Sequence, residues 1–281
     1  MNPLLLRKFV RQALAEDLAW GDITTEALIP PNVPLRAQAR AREAGIVAGL
    51  PVFAEVFRQL SPSILVSFCV CEGARVEAGQ ALAEVVGEAR LILMGERVAL
   101  NLLQHLSGIA TTTAQYVAAL EGLPTRILDT RKTTPGLRML EKYAVRVGGG
   151  VNHRYCLADA VLIKDNHLTI LAAQGIGLSE AIRRARAVIS PTLRIEVEVE
   201  SVEDAVQAAE AGADIVMLDN MSLAEMRHAV EAIGRRALVE ASGNITLETI
   251  RQVAETGVDY ISVGALTHSR DGLDIGLDVV G

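Results

Sequence analysis

Three segments of this chain share one layout: Asp159-AVLI-Lys164, Asp214-IVML-Asp219 and Asp259-YISV-Gly264. Each has an Asp, four mostly apolar residues and then a chemically distinctive sixth. The layout reads as a short strand that starts at the Asp and delivers the sixth residue to its C-terminal end. Similar runs occur at Arg126–Thr130, Leu193–Val199 and Ala237–Ala241, so six strands are expected after about residue 126, alternating with helical stretches. Ser201-x-x-Asp204 and Ser222-x-x-Glu225 are expected as capping boxes, and Gly212, Gly234 and Gly257 as helix stops. Near-continuous apolar strands in repeated strand–helix units imply a parallel sheet with a covered outer face. The expected fold is an α/β barrel with fewer than eight strands, the Gly148–Asn152 region being a candidate seventh. Chemistry then belongs at the C-terminal ends of the strands.

The first hundred residues are patterned differently. Short strands are expected at Ala37–Ala41, Ile46–Ala48, Leu65–Val70, Arg75–Val76 and Leu82–Val86, and a long helix from Leu91 to about Leu120. This is a smaller, β-rich α/β domain. Its hairpin-like run Glu72–Val85 resembles those of lipoyl or biotinyl carriers but has no lysine to bear a cofactor. The opening segment, with Leu5, Phe9, Ala13 and Leu14 at helical spacing and Arg7, Lys8 and Arg11 among them, reads as an amphipathic helix and not a signal peptide. The expected domains are 1–110 including the linking helix, a barrel at 111–267, and a tail at 268–281 returning to the first domain.

Composition removes whole classes of function. A formal net charge of −7 disfavours nonspecific binding to nucleic acid or anionic membrane. An aromatic content of 3% leaves no stacking platform for single strands. No apolar run approaches the ~20 residues of a membrane span. Cys69, Cys71 and Cys156 are odd in number and lack zinc-site spacing, so reduced thiols in a cytoplasmic protein are expected, with no resident metal.

Against that acidic background, DTRKTTPGLR (129–138) concentrates Arg131, Lys132 and Arg138 where a strand gives way to a loop. His153-Arg154 and Lys164 stand at matching places. Clustered cations at strand ends imply a pocket for a small polyanion, and a lysine ending an apolar parallel strand needs a partner or ligand. In Arg194-IEVEVE, Glu196, Glu198 and Glu200 point to one face of a strand whose other face is covered, so they face the barrel interior or mouth. His105 and His167 have no such support and are left out of the site.

Eight segments, taken in order, carry a resemblance: AEDLAWGDITTEAL, GERVALNLLQHLSGIAT, DTRKTTPGLR, GGGVNHRYCLADAVLIKDNH, IEVEVES, VMLDN, VEASGNI and ISVGALTHS, followed by LDIGLDVV. The chain resembles quinolinate phosphoribosyltransferase over essentially its whole length. That resemblance implies transfer of phosphoribosyl from 5-phosphoribosyl-1-pyrophosphate (PRPP) to quinolinate with decarboxylation, giving nicotinate mononucleotide, pyrophosphate and carbon dioxide in NAD biosynthesis. It also implies an intimate homodimer with shared active sites, and Mg²⁺ arriving with PRPP. Thr130, Arg131, Lys132, His153, Arg154 and Lys164 would surround quinolinate, with Arg97 joining from a neighbouring subunit. Glu198, in preference to Glu196, and Asp219 match the ribose-hydroxyl and magnesium-proximal acids; Lys132, Lys164, Glu198 and Asp219 are the expected catalytic set. Phosphate would sit on Ser242-Gly243-Asn244 and Gly264-Ala265-Leu266, helped by a helix starting near Thr246. The rival readings are a molybdenum-transport-associated paralogue of the same fold and a Schiff-base aldolase using Lys164.

Overall fold

The structure is a computed structural model and describes residues 1–268 and 271–280. Ser269, Arg270 and Gly281, all of the expected tail or its approach, lie outside the described residues. In chain order the elements are α1 (Pro3–Asp17), α2 (Ile23–Leu28), β1 (Pro34–Ala41), β2 (Gly45–Ile46), α3 (Leu50–Leu60), β3 (Leu65–Phe68), β4 (Arg75–Val76), β5 (Ala81–Glu88) and α4 (Ala89–Ala119). There follow β6 (Arg126–Leu128), α5 (Arg138–Val147), β7 (Val161–Ile163), α6 (Asp165–Ala172), α7 (Leu178–Val188), β8 (Ile195–Val199) and α8 (Val202–Glu210). The chain ends with β9 (Ile215–Asp219), α9 (Leu223–Ile233), β10 (Leu238–Ser242), α10 (Ile250–Ala254), β11 (Tyr260–Ser262), α11 (Ala265–His268) and β12 (Ile275–Val279). Two compact units result. The first comprises residues 1–114, 135–149 and 269–281, and the second 115–134 and 150–268.

In the first unit, β12-β1-β5-β3 form an antiparallel sheet, with β12 registered on β1 from Ala37↔Val279 to Ala41↔Ile275. Alternate residues Ala37, Ala39 and Ala41 are buried, as the two-residue period of a half-covered strand requires. α3 buries Val52, Phe53, Val56 and Phe57, the two phenyl rings meeting edge to face at 5.1 Å. Two local expectations change. The run Glu72–Val85 is no hairpin, because β4 pairs with β2 whereas β5 pairs with β1 and β3. In α1 the buried stripe is Leu6, Val10 and Leu14, and Leu5 is exposed; the i, i+4, i+8 row lies one residue from the one expected.

Helix α5 belongs to this first unit although it follows the first barrel strand. The Glu72 carboxylate accepts the backbone N–H groups of Gly49 and Leu50 at the start of α3 (2.6 and 3.0 Å) and the hydroxyl of Tyr143 from α5 (2.9 Å). An anion is well placed against the orphan N–H groups of a helix start. A buried Glu141, also on α5, pairs with His105 of α4 at 3.0 Å. That pairing accounts for a histidine the sequence offered no role.

The second unit is a six-stranded parallel sheet in the order β6-β11-β10-β9-β8-β7. Val151, in the region considered as a seventh strand, makes only an isolated parallel bridge to Leu128 of β6. Among the described residues the ring therefore has no strand pairing between Val151 and β7, and that gap is spanned by the segment carrying His153 and Arg154. The repeated Asp residues hold the strand bottoms. The Asp214 carboxylate accepts from the Ile195 N–H (2.6 Å), and that of Asp259 from the Val239 N–H (2.8 Å). Asp159 departs from this pattern: its carboxylate accepts from the Tyr155 N–H within its own loop. Ser222 and Glu225 form the expected reciprocal capping box. At Ser201 the hydroxyl instead donates to the Asp204 carboxylate while accepting from its N–H (2.8 and 3.1 Å), the Asp side chain being one methylene shorter than the Glu of a full box.

Candidate active site

Register and parity assemble the site. Leu162 pairs with Glu196, Glu198 and Glu240 both lie at the level of Met217, and Asp219 pairs with Ser242. With a side-chain period of two, Glu196, Glu198, Met217, Asp219, Glu240, Ser242 and Ser262 all turn inward, while Ile195, Val197 and Val199 are buried on the covered face. The resulting cavity, about 840 Å³, opens at the C-terminal strand ends. Its lining includes Thr130, Arg131, Lys132, His153, Arg154, Lys164, Glu198, Asp219, Ser242, Gly243, Asn244, Gly264 and Ala265. A concavity of about 810 Å³ lies at the opposite strand ends among Arg194, Asp214, Arg235 and Asp259. There the carboxylate of Asp214 is occupied by the Ile195 N–H and by Arg186, and Arg236 pairs with Glu210, which marks it as the structural end.

Asp129, which the sequence reading passed over, anchors the cationic wall. It is fully buried at the end of β6 and accepts the Asn152 amide at 2.6 Å and the His153 N–H at 2.8 Å. His153 in turn accepts the Arg154 N–H on Nδ1 at 2.8 Å, and its Nε2 faces the carboxylates of Glu196 (3.0 Å) and Glu240 (3.7 Å). Burial pulls the His153 imidazole toward the neutral form, but the hydrogen bond and charge of Glu196, with Glu240 adding to them, outweigh it and raise its pKa. Arg154 is lowered from the usual arginine value, first by burial and then by the positive charge of Arg131. Two like charges held this close, with the Arg131 Nε buried and lacking any acceptor, make a donor set that an anion completes.

Lys164 ends β7 and sits beside Glu198, the ion pair measuring 2.7 Å with Glu198 mostly buried. The Lys164 N–H donates to Nδ1 of His167 at 2.9 Å, so this histidine, left out of the site, orients the backbone of a site residue. Lys132 is fixed through its backbone. Its N–H donates to Thr130 Oγ1 (3.0 Å), its carbonyl accepts from Thr267 (2.7 Å), and its side chain lies over Gly264, where an added Cβ would come within 3.0 Å of it. Gly243 adopts φ +100° and packs so closely on Asn220 that no Cβ fits there.

Three expected members stand apart. Leu266 is fully buried with its N–H donated to Val263, and does not line the cavity. The regular helix expected near Thr246 begins at Ile250 and has five residues, preceded by a turn in which the Thr249 and Ile250 N–H groups donate to the Thr246 carbonyl and the Thr246 N–H donates to Thr249 Oγ1. Arg97 is exposed on α4 of the first unit, 3.9 Å from Glu96. Glu196 is buried and does not line the cavity, although its partner His153 does, whereas Glu198 lines it. Glu240, also missed, was marked only by being a carboxylate inside the apolar run Leu238–Ala241.

Residues 22–107 match the N-terminal domain of quinolinate phosphoribosyl transferase and residues 109–278 its C-terminal domain. The chain belongs to the quinolinate phosphoribosyltransferase family. It is 44% identical over 279 residues to the probable nicotinate-nucleotide pyrophosphorylase [carboxylating] of Bacillus subtilis, covering 99% of this chain and 95% of that one. Identity to the corresponding Mycobacterium leprae protein is 46% over 283 residues, covering 97% and 96%. Among solved structures, NadC from Streptococcus pyogenes superposes with a TM-score of 0.94 at 44% identity, covering 100% and 99%. The quinolinate phosphoribosyltransferase fold thus accounts for both domains, including the parallel sheet and the separate antiparallel one.

Proposed function

We propose that this protein transfers the phosphoribosyl group of PRPP to quinolinate and releases carbon dioxide and pyrophosphate, forming nicotinate mononucleotide for NAD biosynthesis. The observation that carries the reading is Arg131: its buried Nε lacks an acceptor in a cavity that also presents Arg154, Lys132 and Lys164. A flat ring with two adjacent carboxylates supplies acceptors for such a set, arginine taking a carboxylate bidentately. Glu198, paired with Lys164, and Asp219 line the same cavity and would take the ribose hydroxyls, and the loops at Ser242–Asn244 and Gly264–Ala265 the phosphate.

The pyridine nitrogen is itself the nucleophile, so this chain's task is alignment and electrostatic stabilisation of a ribosyl centre that becomes cationic as pyrophosphate leaves. Glu198, held by Lys164, and Asp219 place negative charge near that centre. Once the nitrogen is quaternised, the ring accepts the electron pair of the breaking carbon–carbon bond and the 2-carboxylate leaves as carbon dioxide; the ring carbon then takes a proton. Arg131, Arg154 and Lys164 hold the remaining carboxylate through that step. Asp219, one oxygen of which accepts from Asn220 at 2.8 Å, is a hard oxygen donor of the kind Mg²⁺ takes alongside substrate phosphates and water. When bound with PRPP, the ion would neutralise charge on the leaving pyrophosphate.

The decisive assay is release of carbon dioxide and pyrophosphate from quinolinate plus PRPP and Mg²⁺. Stoichiometric release is expected; turnover without quinolinate, or none with it, overturns the assignment. Borohydride trapping with a phosphosugar carbonyl should leave Lys164 unmodified, against an aldolase.

We also propose a cytoplasmic homodimer in which Arg97 serves the partner's pocket. Among the described residues no helix is long and apolar enough to cross a membrane. Arg97→Ala and Lys164→Ala proteins should each be nearly inactive. In a co-refolded mixed dimer one site carries both defects and the other neither. Random mixing makes about half the dimers mixed, so roughly a quarter of wild-type activity should return. Activity that stays at the level of the single variants despite confirmed subunit exchange would place Arg97 outside the shared site.

A further inference from the structure

At the floor of the anion pocket, lined there by His153 and Glu240 with the buried Glu196 against them, is a group of ionisable side chains that the proposed chemistry does not use. The ligand atoms of His153, Glu196 and Glu240 lie within 4.8 Å of one another. Glu240 is fully buried and Glu196 is 2% exposed. Both oxygens of Glu240 and one of Glu196 are buried without a hydrogen-bond partner, as is the Ser262 hydroxyl beside them. The Ser262 hydroxyl, close enough to Glu240 to lower its pKa, has one proton to give and His153 Nε2 stands 3.7 Å away, too few donors for two carboxylates buried at this depth; the remaining charge calls for a cation or a proton.

The histidine decides between the two. A metal on Nε2 would need a proton on Nδ1, but Nδ1 accepts the Arg154 N–H. A neutral imidazole carries one N–H, which is therefore on Nε2 and donates to Glu196. The same contact keeps an added proton off Nδ1, although the two carboxylates favour the cationic ring. What remains is a proton shared by the two carboxyl groups, since two buried anions this close cannot both stay ionised. Around Glu240 the facing groups are Glu196 from β8, His153 from the segment before β7, and Ser262 from β11. Its register partners are Met217 on β9 and Tyr260 on β11. The remaining charges, Arg131, Lys132, Arg154, Lys164, Glu198 and Asp219, line the same cavity.

We propose that Glu240 is a positioning residue that holds a proton under the pocket: shared with Glu196, this proton fixes the Nε2–H tautomer of His153 and removes one negative charge from the floor, so that a dianionic substrate binds only while the proton is retained. The inference rests on the pocket being the site of the pyridine dicarboxylate. Burial, and secondarily the charge of Glu196, push the Glu240 carboxyl up to about 8, which sets the window in which the effect is read.

Glu240→Gln keeps shape and hydrogen-bonding capacity but cannot ionise. In the wild type, KM for quinolinate should rise about tenfold per pH unit once pH passes the titration of Glu240, while KM for PRPP does not follow it. In Glu240→Gln that alkaline rise in quinolinate KM should be absent. An equal rise in both proteins overturns the proposal, as does a rise that PRPP shares. Two measurements need no turnover. The wild-type infrared spectrum at pH 7 should show a protonated-carboxyl stretch that the variant lacks; its absence from the wild type overturns the proposal. Because the folded value of Glu240 lies above its unfolded value, the stability it contributes is full at low pH and is lost as pH rises through the folded value. The variant's Tm relative to wild type should therefore climb between pH 5 and pH 9; a constant difference overturns the proposal. Failure of quinolinate turnover at pH 7 would instead count against the assigned reaction, leaving the infrared and thermal results to judge the shared proton.

Discussion

Nicotinate, which lacks the 2-carboxylate, should fall roughly thirty- to several-thousand-fold below quinolinate in kcat/KM. Arg131 already has a buried Nε without an acceptor, and Arg154 is destabilised by burial and by Arg131 itself. A substrate with one carboxylate leaves part of this set unpaired in a partly desolvated pocket, at a cost of about 2–5 kcal/mol. Each 1.4 kcal/mol is about tenfold in the ratio. Steady-state kinetics with both acids at fixed PRPP measure this directly. Comparable efficiencies would mean that the cations serve something other than a second carboxylate.

Asp129→Ala should be the most damaging change outside the ligand-facing residues. The carboxylate is fully buried and holds the Asn152 amide and the His153 N–H. Removing it strands two donors and should cost about 3–5 kcal/mol, or roughly 10 °C in Tm for a chain of this size. The same change releases the segment that carries His153 and Arg154, so KM for quinolinate should rise far more than KM for PRPP. A lowered Tm with both KM values untouched would limit Asp129 to a structural role. An unchanged Tm would remove even that.

The sequence made the barrel legible because its strands are punctuated twice, by an Asp at one end and a reactive residue at the other. β9 runs from Ile215 to Asp219 as read. β6, β7 and β11 are shorter than expected because their last positions, Thr130, Lys164 and Gly264, belong to loops that face the cavity; β8 starts two residues later and β10, Leu238–Ser242, is shifted by one. The cavity's cations and two of its three acids, Glu198 and Asp219, were also legible, since charge at the end of an apolar strand is conspicuous. Buried partners were not. Asp129 fell inside the expected strand Arg126–Thr130 and was given no role, since nothing in DTRK separates a fully buried aspartate from a solvated one. Glu240 sits one residue before a small-residue turn, VEASGN, where the eye goes to the glycine. The helix expected at Thr246 differs in another way: the Ile250 N–H does reach the Thr246 carbonyl, but residues 247–249 form a turn and the regular helix runs only from Ile250 to Ala254. Helix α5 could not have been assigned to the first unit from its own sequence, because its anchors, Glu72 and His105, are far away along the chain.

The aspartates at the bottoms of β9 and β11 make each strand a ruler. Asp214 grips the backbone of Ile195 and Asp259 that of Val239, so the zero mark is set against the neighbouring strand and five steps later comes Asp219 or Gly264. With the origin clamped, inserting a single residue within Ile215–Leu218 could not be absorbed by sliding the strand. It would turn Asp219 into the helix-covered layer and bring Leu218 into its place at the rim. The catalytic mouth is thus measured out from the far end of the barrel, and substitutions of Asp214 or Asp259 belong among the changes expected to alter substrate handling without touching a single atom of the pocket.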